Sequence, residues 1–395
     1  MEFLPSFPLP VNQFALLGLV LLAGLIGGEL AARTRLVPRI AGYIAVGLLV
    51  GPAGFGWLKS PMLGEARIFI DISLGFILFE LGRRLDGDWL RHDRAIVRTA
   101  LAECLLVFAL LFLTLAGFGF PLLPSALAAS IGMVTSPAVV MMVARDLHAE
   151  GPVTRRTLTL VALGNLLALT VFTLLLPYAR HGSLPLAQGL YRLSGSILLG
   201  GLMFVFASQA ARLTGKRVAS QFVLQMSLVI IAIALANALH LSVMLSLLSF
   251  GIAARNLDHA RRLMEVDFGL LGLLFLILLF VITGAHLRLD GFASAGLAVL
   301  AFLFARFLGK GIGVLLFARG GRQTLAQAGL TTLALTPMAG VAIGMTHTVS
   351  DLNPDFDIGL SAVVLAACAV LDIVGPIATQ FALRRAGEAH PEAAT

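Results

Sequence analysis

Apolar runs of about twenty residues recur along the whole 395-residue chain, and this repetition limits the fold more than any motif does. Each run is long enough to cross a hydrocarbon core of roughly 30 Å as a helix. In lipid, backbone N–H and C=O groups find partners only within helices or closed barrels. The runs are continuously apolar rather than alternating, which selects helices. Charge agrees: 12% of residues are charged, against about 25% in soluble domains. Too little polar surface remains to coat a water-soluble globule. The net charge of +7 would suit a nucleic-acid binder, but the basic residues are scattered through short loops, so no nucleic-acid partner is expected. Cys104 and Cys368 lie inside apolar runs, which argues against a disulfide framework. Residues 1–11 carry no Lys or Arg, so the basic start of a cleaved signal peptide is missing and the first helix is expected to stay.

The runs predict thirteen spans, near 12–32, 37–57, 62–82, 95–118, 121–147, 153–180, 189–211, 219–239, 242–254, 264–287, 291–317, 324–348 and 356–383. With the N-terminus outside, the cytoplasmic segments collect 21 of the 28 Lys and Arg residues. The outer segments hold only Lys59, Arg67, Arg180, Arg192 and Arg288; Arg306 and Lys310 fall within a span. This asymmetry predicts N-out, C-in in a bacterial inner membrane. Residues 386–395 read as a disordered cytoplasmic tail. The sequence contains no Walker A loop and no HExxH, so an enzyme, a metal centre or a bound cofactor is not expected.

Two spans are interrupted. The fifth contains Thr135-Ser136-Pro137, and the twelfth contains Thr336-Pro337-Met338-Ala339-Gly340. A mid-helix proline removes one hydrogen bond and clashes with the preceding turn. A single such element is no more than a kink. Two, seven spans apart and so running in opposite directions, divide thirteen helices into six, one linker and six. Interrupted helices at matching positions of inverted halves point to a transporter's midplane site.

Polar residues fall at the same depth. Asn165 lies near the middle of span six, and Arg306 near the middle of span eleven with Lys310 one turn later on the same face. Ionisable groups at bilayer depth are costly and by default functional. A structural role for the two cations, on the carbonyls of the breaks, competes with direct coupling. Asp372 sits mid-span in helix thirteen and is expected to balance Arg306 or another base. Glu103 and Asp71 lie in or near apolar runs and could titrate, whereas Glu29 and Glu80 lie near cytoplasmic ends.

These residues make the chain resemble the monovalent cation:proton antiporter superfamily, in the branch of bacterial sodium/proton antiporters and potassium-efflux systems. The matching elements are Val37-Pro38 with Ala41-Gly42-Tyr43, Gly47, Gly51 to Gly56, Leu74 to Gly82, the Thr135-Ser136-Pro137 break, Arg306 to Lys310, and Asp372 to Pro376. Each is weak alone; in order over nearly the whole chain they are specific. The resemblance implies one transporter unit over 1–385, with core helices at about 95–180 and 291–385 carrying the crossed breaks and a scaffold from the remainder. It further implies elevator-type alternating access, a homodimer, and a site for a monovalent cation and a proton at the breaks.

The resemblance departs at one place. The family's helix six carries one or two aspartates, and the matching positions here are Gly164 and Asn165. Asparagine offers a carbonyl oxygen but no exchangeable proton. Three explanations remain open at the level of sequence. Another acid, such as Asp71, Glu103 or Asp372, couples the ions. Alternatively the substrate is a small anion or organic acid, drawn by Arg306 and Lys310. Finally, Asn165 replaces a native aspartate by engineering, which silences transport. A non-transporting relative of the family is a further alternative.

Overall fold

The computed structural model describes residues 13–390 apart from 35–36, 58–66, 180–183, 260–261, 265–268, 287–290, 322, 351, 353–355 and 357–358. The described residues form helices without strands. In chain order these are α1 (Gln13–Arg33), α2 (Arg39–Val50), α3 (Arg67–Arg83), α4 (Gly87–His92), α5 (Arg94–Gly117), α6 (Leu122–Met133), α7 (Pro137–Asp146) and α8 (Pro152–Leu175). They continue as α9 (Pro185–Thr214), α10 (Val218–Ala238), α11 (Val243–Asn256), α12 (Gly269–His286), α13 (Gly291–Leu316), α14 (Leu325–Ala334), α15 (Gly340–Ser350) and α16 (Leu360–Arg385). Seven helical segments among the described residues are long and apolar enough to cross a membrane, and three shorter apolar helices accompany them. The protein is therefore multi-pass. Its outer helix faces carry exposed Leu105, Leu198, Leu297 and Phe304, as suits side chains bathed in lipid tails.

Helix ends follow local chemistry. The expected span 37–57 stops as helix at Val50, because Pro52 pushes Gly51 out of the helical region into an extended conformation. The short α4 between spans three and four was not expected; Asp86 caps it by accepting from the N–H groups of Asp88 and Trp89. The expected spans 121–147 and 324–348 are each two helices, α6–α7 and α14–α15, separated by non-helical residues.

Helix pairing brings the interrupted elements together. α5 packs along α13 and against α6, while α13 and α14 pack on α16. Elsewhere α2 packs on α1 and α12, α3 on α11, and α11 on α9. The α5–α13 contact is close because Gly309 and Gly313 face it. A Cβ on Gly309 would lie 2.8 Å from Val107 Cα, and one on Gly313 2.3 Å from Glu103 Cα. Such small-xxx-small spacing lets two membrane helices approach backbone to backbone.

Part of the expected tail is ordered against the bundle. Residues 391–395 lie outside the described residues, but 386–390 fold back onto the α7–α8 turn. Glu388, 5% exposed, accepts from Val153 N at 2.8 Å, Thr154 N at 2.7 Å and Thr154 Oγ1 at 2.7 Å. Its carboxylate caps the start of α8, where free N–H groups and the helix dipole favour negative charge.

Candidate functional site

The two breaks meet in the bundle interior, and their backbone groups are partnered across the crossing. Ser136 N donates to Pro337 O at 2.9 Å, a main-chain bond between the two interruptions. Thr135 Oγ1 donates to Leu335 O at 3.3 Å, and Thr379 Oγ1 of α16 donates to Ala334 O at 3.3 Å. Pro137 takes the first position of α7, where a missing N–H costs nothing, and Ser136 Oγ accepts from Val139 N as its cap. The proline of the fifth span thus restarts a helix rather than kinking one. Gly375 supports the second break: a Cβ there would lie 2.6 Å from Pro337 Cα.

Arg306 fills the crossing. Its Nε donates to Gly132 O at 2.9 Å and its Nη1 to Thr336 O at 2.8 Å. Its Nη2 reaches Val134 O at 2.7 Å and Pro337 O at 3.4 Å. The side chain is 2% exposed. A planar fork of spaced donors reaches carbonyls on both breaks at once, a wider span than one compact ammonium covers. The helix ends that supply these carbonyls carry partial negative charge, so the guanidinium is balanced by dipoles as well as by bonds.

Lys310, one turn further along α13, is equally buried and forms an ion pair with Glu103 of α5. Its Nζ also donates to Thr135 Oγ1 at 2.9 Å and to Met133 O at 3.4 Å. The other carboxylate oxygen of Glu103 faces α8, where a Cβ on Gly164 would lie 3.8 Å from Oε2. Asn165, the next residue of α8, is fully buried. Its Nδ2 donates to Thr135 O at 2.7 Å and Val161 O at 2.8 Å. Both neighbours are acceptors, so the amide orientation is determined, and Oδ1 is left buried without a hydrogen-bond partner.

The structure thus gathers Thr135, Ser136, Pro137, Gly164, Asn165, Arg306, Lys310, Thr336 and Pro337 around one crossing. Asp372 is different. It was expected to balance Arg306, but the donors of Arg306 are directed at carbonyls. Asp372 is fully buried, with both oxygens lacking a hydrogen-bond partner among the described residues. Glu103 takes the position of counter-charge instead, to Lys310. Glycines 309 and 313, which set that contact, were overlooked in the sequence, although their spacing was visible there.

A cavity of about 380 Å³ opens from one side of the bundle. It runs between α3, α10 and α11 on one wall and α8 and α15 on the other, with Asp71, Thr173, Arg192, Asn237, Thr283 and His347 among its lining residues. Leu74, Leu169 and Gly340 also line it. Leu169 lies one helical turn from Asn165, about 6 Å along the axis.

Crossed interrupted helices with buried cations and a carboxylate at their junction define a class, the multi-pass secondary carriers. The comparisons are narrower. Residues 17–384 match the family described as sodium/hydrogen exchanger, transmembrane, and the chain belongs to that family. Its fold is similar to the sodium proton antiporter MjNhaP1 from Methanocaldococcus jannaschii in two solved structures. The structure at pH 8 gives a TM-score of 0.66 at 20% identity, covering 94% of this chain and 95% of that one. The structure from an electron-microscopy map gives 0.73 at 19% identity, covering 96% and 99%. No curated protein sequence matches the chain. Family and fold make the protein a cation/proton antiporter by kinship and a transporter rather than an enzyme.

Proposed function

We propose that the protein exchanges a monovalent cation, Na⁺ or K⁺, for protons by elevator alternating access. The mobile core comprises helices at about 95–180 and 291–385, and it moves against a scaffold built from the remaining helices and shared with a second copy in a homodimer. The halves are inverted repeats, the N-terminus is outside and the C-terminus cytoplasmic in a bacterial inner membrane. On that orientation the cavity is an outward vestibule ending one turn short of Asn165.

One observation carries the reading: the buried Oδ1 of Asn165 has no hydrogen-bond partner among the described residues, on the same helix whose Gly164 faces the Glu103 carboxylate. An oxygen fixed in place without a donor, deep in the protein, is the kind of ligand a dehydrated cation needs, and an anion would be repelled by it. The small-anion alternative loses its motive as well. The Arg306 donors are directed at backbone carbonyls, and Lys310 is balanced by Glu103. Thr135, whose carbonyl accepts from Asn165 Nδ2, holds that side chain in place.

The test is proton movement in proteoliposomes on addition of Na⁺, K⁺ or Li⁺, with wild type and Asn165→Asp in parallel. Wild type is expected to move protons in response to at least one cation. Flux in Asn165→Asp alone would mean that the coupling group is missing from this chain and would remove the antiport reading for the chain as it stands. Silence in both would remove the antiport reading.

A further inference from the structure

We infer that Glu103 on α5 is the acid through which this protein exchanges its cation for a proton; the assignment rests on the antiport reading above. The geometry singles it out. Glu103 is 1% exposed and anchored by the close α5–α13 contact at Gly313. One oxygen pairs with Lys310, and the other faces the flank of Gly164 on α8, the residue before Asn165. A cation at that point would meet the Glu103 carboxylate from α5 against the small Gly164 of α8, which leaves room for it.

The surroundings fit an alternating occupant. The charged groups facing Glu103 are Lys310 and, further off, Arg306, both from α13; Cys104 is its neighbour on α5. From α8 it faces the uncharged Gly164. While the carboxylate is ionised, Lys310 holds it in place. Asp372, by contrast, has no hydrogen-bond donor to hold it among the described residues. Asp71 lines the vestibule, away from the crossing.

The step is a competition for one carboxylate. As the cation binds, the O–H bond of the Glu103 acid breaks and its proton leaves to the aqueous cavity. As the cation departs, one proton returns and the O–H bond reforms. Lys310 stays an ammonium throughout and positions the group.

The experiment uses the full chain in proteoliposomes with Na⁺, Li⁺ and K⁺ salts. Glu103→Gln should lose cation-driven proton flux. Glu103→Asp should keep flux with its half-maximal pH displaced, a change that a purely structural role would not produce. Glu103→Gln combined with Lys310→Met removes both buried charges, an exchange that proteins often tolerate in stability. This double variant should match the wild type in size-exclusion profile and melting temperature yet carry no coupled flux. Flux persisting in Glu103→Gln or in the double variant overturns the assignment. Absence of flux in wild type itself would instead remove the antiport reading, and this assignment with it.

Discussion

Arg306 is bonded to carbonyls on both sides of the crossing, so its removal orphans several buried acceptors together. Each orphan costs about 1–3 kcal/mol. Arg306→Ala should therefore lower the melting temperature sharply or prevent accumulation of folded protein. Arg306→Lys should rescue little, because one compact ammonium covers a narrower span than the fork. A thermal-shift measurement on detergent-purified protein decides this, and unchanged melting in Arg306→Ala would contradict the bracing role. The depth of Arg306, Lys310 and Asn165 was legible in the sequence, since each is a polar residue centred in an apolar run. Which cation meets which acid was not. Pairing of Lys310 with Glu103 depends on how closely α5 and α13 approach, and that distance is set by Gly309 and Gly313. Asp372 was assigned a partner on charge alone, and both its oxygens lack a hydrogen-bond partner among the described residues.

At the scale of elements, Glu388 ties the end of the described chain to the start of α8, the helix that carries Asn165. Glu388→Ala should cost about 1–2 kcal/mol, the usual worth of a helix N-cap. Truncation after Arg385 should do the same, read as a lower melting temperature; no change in either would mean the cap contributes nothing. A second tie joins the α3–α4 turn to α11. Arg255 Nη2 donates to Asp86 at 2.7 Å, and that bond, with the Trp89 N–H, holds the Asp86 carboxyl below the usual carboxylate range. A depressed acid stabilises the fold above its unfolded range and loses that contribution as pH falls through its folded value. Asp86→Ala should thus melt below wild type at neutral pH, and the gap should close on acidification. A gap that stays constant with pH would refute the charge contribution. Helix breaks at Pro137 and Pro337 were readable because proline acts locally. The Glu388 cap was not, because a polar stretch after the last span gives no local sign of where it docks.

For the whole molecule, apolar run length and proline placement were enough to indicate an all-helical membrane protein with two interrupted spans. The cavity was out of reach. Its walls come from helices far apart in sequence, and residues such as Asp71, Arg192 and His347 look unrelated until the bundle closes. The cap on α8 also has a bearing on how the protein is made. Val153 waits for a residue 235 positions later. At usual translation speeds that interval is on the order of tens of seconds. The helix bearing Asn165 thus enters the membrane early with its N-terminal amides open to water. It acquires its last fastening when the end of α16 has left the ribosome, so the helix that was among the first to insert is among the last to be completed.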